Sequence, residues 1–62
     1  MDRESAKEAW KAKCYDNGFA GFLIVDYHGS LSSVFMEDKS ELNAALESME
    51  RHNHEVFEIV WL

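Results

Sequence analysis

Apolar residues recur at helical spacing in the second half of the chain and predict an amphipathic helix there. Asp38 and Glu41 stand three residues apart just before this run, which is the pattern of a capping box at a helix start. We expect the helix to follow this cap and to end near Arg51 or His52. Its apolar positions have the i, i+3, i+4, i+7 spacing and are Leu42, Ala45, Leu46 and Met49.

Another helix is predicted over residues 5–16. The stretch Ser5-Ala6-Lys7-Glu8 has the form of a capping box. The pair Asn17-Gly18 favours a helix end, because both residues tolerate the left-handed conformation. The residues that share one face of this helix are Ala6, Ala9, Trp10, Lys13 and Cys14.

Segments rich in β-branched and aromatic residues predict strands over residues 19–27, 31–36 and 55–62. The first segment is apolar on both faces, which is typical of a central strand. His28-Gly29-Ser30 supplies the residues of a tight hairpin turn between the first two strands. The last strand is expected to pair with the first on its other side, which gives sheet order 2-1-3 with mainly antiparallel pairing.

The element order α-β-β-α-β predicts a single α+β domain over residues 1–62. We expect a two-layer sandwich in which both helices cover one face of the sheet. The other face would then carry an uncovered apolar patch, and exposed patches of this kind usually mark an interface. The candidate residues for this open face are Leu23, Val25, Tyr27, Val34, Met36, Val56, Val60 and Leu62. Because the alternate set of residues is also apolar, the pattern leaves open which of the two faces the helices cover.

The negative net charge of the chain disfavours nucleic acids and anionic membranes as partners. Twelve acidic residues against six basic ones give a net charge of −6, and such a surface repels nucleic acids and anionic membranes. Glu41, Glu47 and Glu50 lie on the polar side of the second predicted helix and are candidates for contact with a basic partner protein. The simpler interpretation of these glutamates is an ordinary solvated helix face.

The residues offer no arrangement for catalysis. Cys14 is the single cysteine and lies near a helix C-terminus, where the dipole raises a thiol pKa, so a buried packing role is expected. One cysteine and no apolar leader segment after Met1 favour a reducing cytoplasm. The longest apolar run, residues 22–25, is far too short to span a membrane. Because no catalytic or metal-ligating arrangement is evident, we expect that the protein is not an enzyme and that it binds no cofactor or metal.

The stretch His52-Asn53-His54 invites a nuclease or metal interpretation. Its letters match the name of the HNH nucleases, but in that family the three residues lie on separate elements, so the geometry does not agree. A metal site would need three or four ligands, with His28 or Cys14 joining the two histidines. We favour a turn, with Asn53 in the left-handed conformation and His52 near the helix C-terminus.

No family is recognised in the sequence. The leading expectation is a small acidic, non-enzymatic protein that binds another protein, as phage or mobile-element products that inhibit or redirect a host protein often do. The alternative is a structural subunit that assembles with its own copies as a homo-oligomer. A weaker alternative is a metal-binding protein that uses His28, His52 and His54.

The helical pattern generates a stability prediction. Leu46 is central to the apolar stripe, so Leu46→Ala should lower the free energy of unfolding by about 2–5 kcal/mol. Asn43→Ala, on the polar side, should change it by less than about 0.5 kcal/mol. Urea unfolding of both variants measures the difference, and equal losses would show that the helix face is wrongly assigned.

Overall fold

A computed structural model describes residues 2–62 and contains two α-helices and one sheet. The three strands are antiparallel in the order β2-β1-β3. The predicted α+β class, strand order and pair of helices are thereby confirmed. The elements are α1 (Arg3–Asp16), β1 (Gly21–Tyr27), β2 (Ser30–Met36), a 3-10 turn (Lys39–Glu41), α2 (Leu42–Arg51) and β3 (Val56–Trp61).

Helix α1 begins earlier than the sequence pattern predicted. The side chain of Asp2 accepts a hydrogen bond from the Ser5 backbone N–H at 2.8 Å, so Asp2 is the N-cap. The predicted capping box at Ser5 is therefore wrong, because Asp2 already satisfies this free amide and places Ser5 inside the first turn. At the other end, Asn17 caps the helix and Gly18 has a φ of 72°, as expected.

The cap before α2 is confirmed. Asp38 accepts a hydrogen bond from the Ser40 N–H, and the Glu41 carboxylate accepts one from the Asp38 N–H at 2.9 Å. The capped turn is 3-10 in form, and the α-helix follows it from Leu42. The predicted apolar residues of α2 are half-buried against the sheet, whereas Asn43 is exposed, so the assigned helix face is correct.

The two helices cover opposite faces of the sheet. Phe22 and Ile24 of β1 pack with Cys14 of α1, whereas Leu23 and Val25 pack beneath α2. The prediction that both helices share one face is therefore wrong. Side chains alternate between the faces of a strand, and β1 is apolar on both, so one helix on each face removes more apolar surface from water.

The predicted open sheet face is consequently absent from residues 2–62. Leu23, Val25 and Met36 are at most 1% exposed under α2, and Val60 is buried on the α1 side. They cannot meet a partner in this fold. Of the remaining predicted contact residues, Val34 and Val56 are half-buried beside α2, while Tyr27 and Leu62 are exposed.

An irregularity in β3 changes which face its first residue occupies. Ile24 pairs with Glu58, but Val25 pairs with Val56, so Phe57 is an extra residue in this strand. This bulge directs Val56 to the α2 side and leaves Val60 on the α1 side. The two valines were predicted to share a face, because strict alternation gives no sign of a bulge.

Double coverage of β1 leads to a prediction. Leu23→Ala and Ile24→Ala should each lower the free energy of unfolding by about 2–5 kcal/mol, because each removes a fully buried side chain from a different face. Urea unfolding measures both losses. In a two-layer sandwich only one of these neighbours would lie in the core, so a near-neutral result for either would contradict the three-layer arrangement.

Candidate functional site

Strand β3 has an outer edge that no strand of residues 2–62 covers, since β1 lies on its inner side only. The Leu62 N–H donates to the Ala20 carbonyl at 3.1 Å. Alternate residues of an antiparallel strand direct their backbone groups to opposite sides, so Val60 and Glu58 also bond toward β1. Ile59 and Trp61 therefore direct their N–H and C=O groups outward.

Apolar side chains border these outward backbone groups on both sheet faces. Ile59 is 40% exposed, Phe57 39% and Leu62 52%. They are left uncovered because both helices make more contacts with the β1–β2 side of the sheet than with β3. The edge therefore presents apolar surface together with hydrogen-bonding backbone groups.

The one carboxylate of β3 is paired with basic side chains of α1. Glu58 is the one charged residue within β3, and its carboxylate accepts a hydrogen bond from the Lys7 ammonium and lies 4.0 Å from the Arg3 guanidinium. The hydrogen bond from Lys7, aided by the positive charges of Lys7 and Arg3, holds the pKa of Glu58 below its usual range. The same bond raises the pKa of Lys7.

Basic side chains also flank the apolar residues of β3. The Arg3 guanidinium lies 5.7 Å from the centre of the Phe57 ring, and the Lys39 ammonium lies 5.5 Å from that of Trp61. Each distance is within the range of a cation–π interaction. The edge is thus bordered by basic groups although the whole chain is acidic.

The opposite sheet edge, on β2, has a different character. Its sequence includes Ser30, Ser32 and Ser33, and both helices contact this strand. It offers less exposed apolar surface than β3, which makes β3 the stronger candidate for an interface.

The acidic residues selected from the sequence lie elsewhere. Helix α1 and its N-cap Asp2 together contain four acidic and four basic residues, so the net charge of −6 belongs to residues 17–62. Glu41, Glu47 and Glu50 are all exposed on the 3-10 turn and α2. Within residues 2–62 neither Glu47 nor Glu50 forms an ion pair with a basic side chain.

All three histidines meet at one end of the sheet. The His54 ring centre lies 4.6 Å from that of Tyr27, 5.6 Å from that of His28 and 6.1 Å from that of His52. Left-handed backbone at His28 and Asn53, with φ of 52° and 57°, forms the two turns that carry these rings. The sequence predicted the conformation of Asn53 but could not show that His28 joins the others, because two separate loops must meet.

The histidine corner, formed by His28, His52, His54 and Tyr27, is a contact between two turns. His52 Nδ1 lies 2.8 Å from the Ser48 carbonyl oxygen, which anchors that ring to the end of α2. Across residues 2–62, no three histidine, cysteine or acidic side chains are placed to hold a metal ion together. Cys14, the other proposed ligand, lies remote from the corner in the core beneath α1.

Neither Cys14 nor the groove beside α1 shows the features of a catalytic centre. Cys14 is fully buried, its thiol donates to the Phe19 carbonyl at 3.6 Å, and burial raises the pKa of the thiol, as expected for a packing cysteine. An open groove of about 390 Å³ lies between α1 and the β1–β2 hairpin. Its lining contains no titratable side chain and consists of Ala6, Trp10, Gly29, Ser30 and Leu31.

No protein-family model, curated protein or solved structure matches the chain. Neither helix among the described residues has the length and apolar character needed to cross a bilayer.

The ion pair at Glu58 predicts how stability depends on pH. A carboxylate whose pKa is lowered by folding stabilises the fold above its unfolded pKa, and this contribution is lost as pH falls through the folded pKa. Glu58→Gln should therefore lower the urea midpoint at neutral pH and leave it unchanged at acid pH. A constant difference across this range would mean that packing, rather than charge, causes the effect.

The histidine corner predicts a negative result with metals. Because the rings contact one another as parts of turns, a chelator should leave the melting temperature unchanged. Replacing both His52 and His54 with Gln should have little effect on it. Stoichiometric zinc that raises the melting temperature of the unmodified protein, but not of the double variant, would instead establish the metal-binding alternative.

Proposed function

We propose that this chain is a non-enzymatic protein-interaction module that binds an extended segment of protein along the outer edge of β3. The observation that carries the proposal is the coincidence, at Ile59, of an exposed apolar side chain and outward backbone hydrogen-bonding groups. In recognition by strand addition, main-chain hydrogen bonds supply affinity and alternate side chains supply specificity.

The weak protection of this edge supports the proposal. Exposed edge strands are commonly blunted by proline, by unpaired charges or by bulges that twist the edge away. Strand β3 has neither proline nor lysine, and its single carboxylate is paired with α1. The bulge at Phe57 protects only the beginning of the strand, so Ile59 and Trp61 remain open to pairing.

The edge replaces the open sheet face as the binding surface. Its contact residues are Phe57, Ile59, Trp61 and Leu62, of which only Leu62 belonged to the set expected from the sequence. Glu47 and Glu50 lie on α2 and not on β3. Their charges act on the rate of encounter with a partner more than on the lifetime of the complex, as rim charges generally do.

Affinity capture with matched lysine variants tests this function. Ile59→Lys places a charge on the β3 edge, and Asn43→Lys adds the same charge to the exposed side of α2. A protein captured from the native host lysate by the unmodified chain should be lost with Ile59→Lys and kept with Asn43→Lys. Full capture by Ile59→Lys, or equal loss with both variants, would contradict the proposal.

The acidic surface has a separate kinetic test. Reversing Glu47 and Glu50 to Lys should slow or speed association with the captured partner, according to that partner's charge, and should change its dissociation rate less. High salt should imitate the reversal by screening the same charges. Surface-binding kinetics at two salt concentrations provide the measurement, and a change confined to the dissociation rate would place these glutamates inside the interface.

A further inference from the structure

We infer that the segment paired with β3 is β3 of a second copy of this chain, so that two protomers form one continuous six-stranded sheet. This inference rests on the proposed edge pairing and names its occupant. A two-fold pairing requires one surface that is complementary to itself, and the β3 edge meets this requirement in hydrogen bonding, in side-chain pairing and in charge.

The direction of the backbone groups selects the register. Ile59 and Trp61 both face outward, so an antiparallel pairing that sets Ile59 opposite Trp61 of the second copy satisfies the N–H and C=O groups of both residues. Val60 then lies on the two-fold axis. A register with Ile59 on the axis would instead require hydrogen bonds from Phe57, where the bulge makes the backbone irregular.

Side chains also match in this register. Ile59 and Trp61 lie on the α2 face of β3, so each Ile59 would pack beside Trp61 of the second copy. Pairs of aromatic and β-branched residues are favourable across antiparallel strands. On the α1 face, the Val60 side chain at the two-fold axis is already buried within its own protomer, and Glu58 lies opposite Leu62, so no two like charges face each other directly.

Charge within the paired strands is compatible with a second copy. Glu58 is the one charged residue of β3, and its carboxylate is already paired with Lys7 and lies 4.0 Å from Arg3, so the pairing sets no unpaired charge of β3 against its own copy. The net charge of −6 on each protomer adds a long-range repulsion that salt screens. The acidic helix α2 contacts β2. In the six-stranded sheet the two β2 strands are the outermost strands and lie five spacings of about 4.8 Å apart, which is about 24 Å. That separation exceeds the Debye length of about 8 Å at physiological salt, so repulsion between the α2 helices is largely screened.

Sedimentation velocity over a dilution series tests this pairing. The unmodified protein should shift from its monomer mass of 7.2 kDa toward twice that mass as concentration rises. A single strand pair buries less surface than interfaces of about 1,200–2,000 Å², so we expect a dissociation constant in the micromolar range or weaker. Raising the salt from low ionic strength to the physiological range should increase the dimer fraction, because it screens repulsion between two acidic protomers.

Substitutions at Ile59 separate the interface from the fold. Ile59→Pro removes an N–H that faces away from β1 and bonds to no strand of residues 2–62, and proline is tolerated on an edge strand at such a position. This variant should keep its circular dichroism spectrum and dimerise at least about tenfold more weakly, through loss of the paired hydrogen bonds. Ile59→Val retains the N–H and the apolar character and should dimerise nearly as well as the unmodified chain. If the proline variant does not fold, Ile59→Lys tests the same contact.

The possible outcomes distinguish this inference from the function on which it rests. A constant monomer mass at every concentration would overturn self-pairing, and so would a dimer that Ile59→Pro and Ile59→Lys leave unchanged. If the protein stays monomeric but captures a different protein in a manner that depends on Ile59, the proposed function stands and the second copy is not its partner. A dimer weakened by these variants, and strengthened by salt, supports the inference.

Discussion

Burial of β1 on both of its faces is the constraint on which the rest of the structure depends. Residues 21–25 are all buried, between two neighbouring strands and two helices. A chain of 62 residues has few helices and strands with which to build such a core. Each helix takes one face and lies toward β2, so the third strand completes the sheet but receives the least cover. The exposed edge of β3 thus follows from the way the core is built.

Local signals in the sequence predict local structure well. The Asp38 cap, the Asn17-Gly18 helix end and the hairpin turn at His28-Gly29 each depend on residues a few positions apart, and all are found as predicted. The sequence pattern places the helix start at Ser5 instead of Asp2 because these residues, three positions apart, both have side chains that can cap a helix. Strand order was also predictable, because only a central strand needs apolar residues on both faces.

The candidate site at the β3 edge could not be predicted from the hydrophobic periodicity of the sequence. The two apolar faces of β1 show that both must be buried, but they do not show that one helix will pack on each face. The bulge at Phe57 adds one residue without any distinctive residue type, and it decides which valine faces which helix. The contact of His28 with His54 requires two loops to meet, although 25 residues of chain separate these histidines. In each case the decisive interaction joins distant parts of the chain.

The outward amides of β3 have no strand partner within residues 2–62, and we propose that they become bonded in the complex. Amide hydrogen exchange followed residue by residue measures this directly. In dilute protein, Ile59 and Trp61 should exchange fast while Glu58 and Val60, which bond to β1, exchange slowly. At high concentration, or with a captured partner, the two fast amides should become protected. Protection of Ile59 and Trp61 already in the dilute protein, or no change on association, would contradict this account.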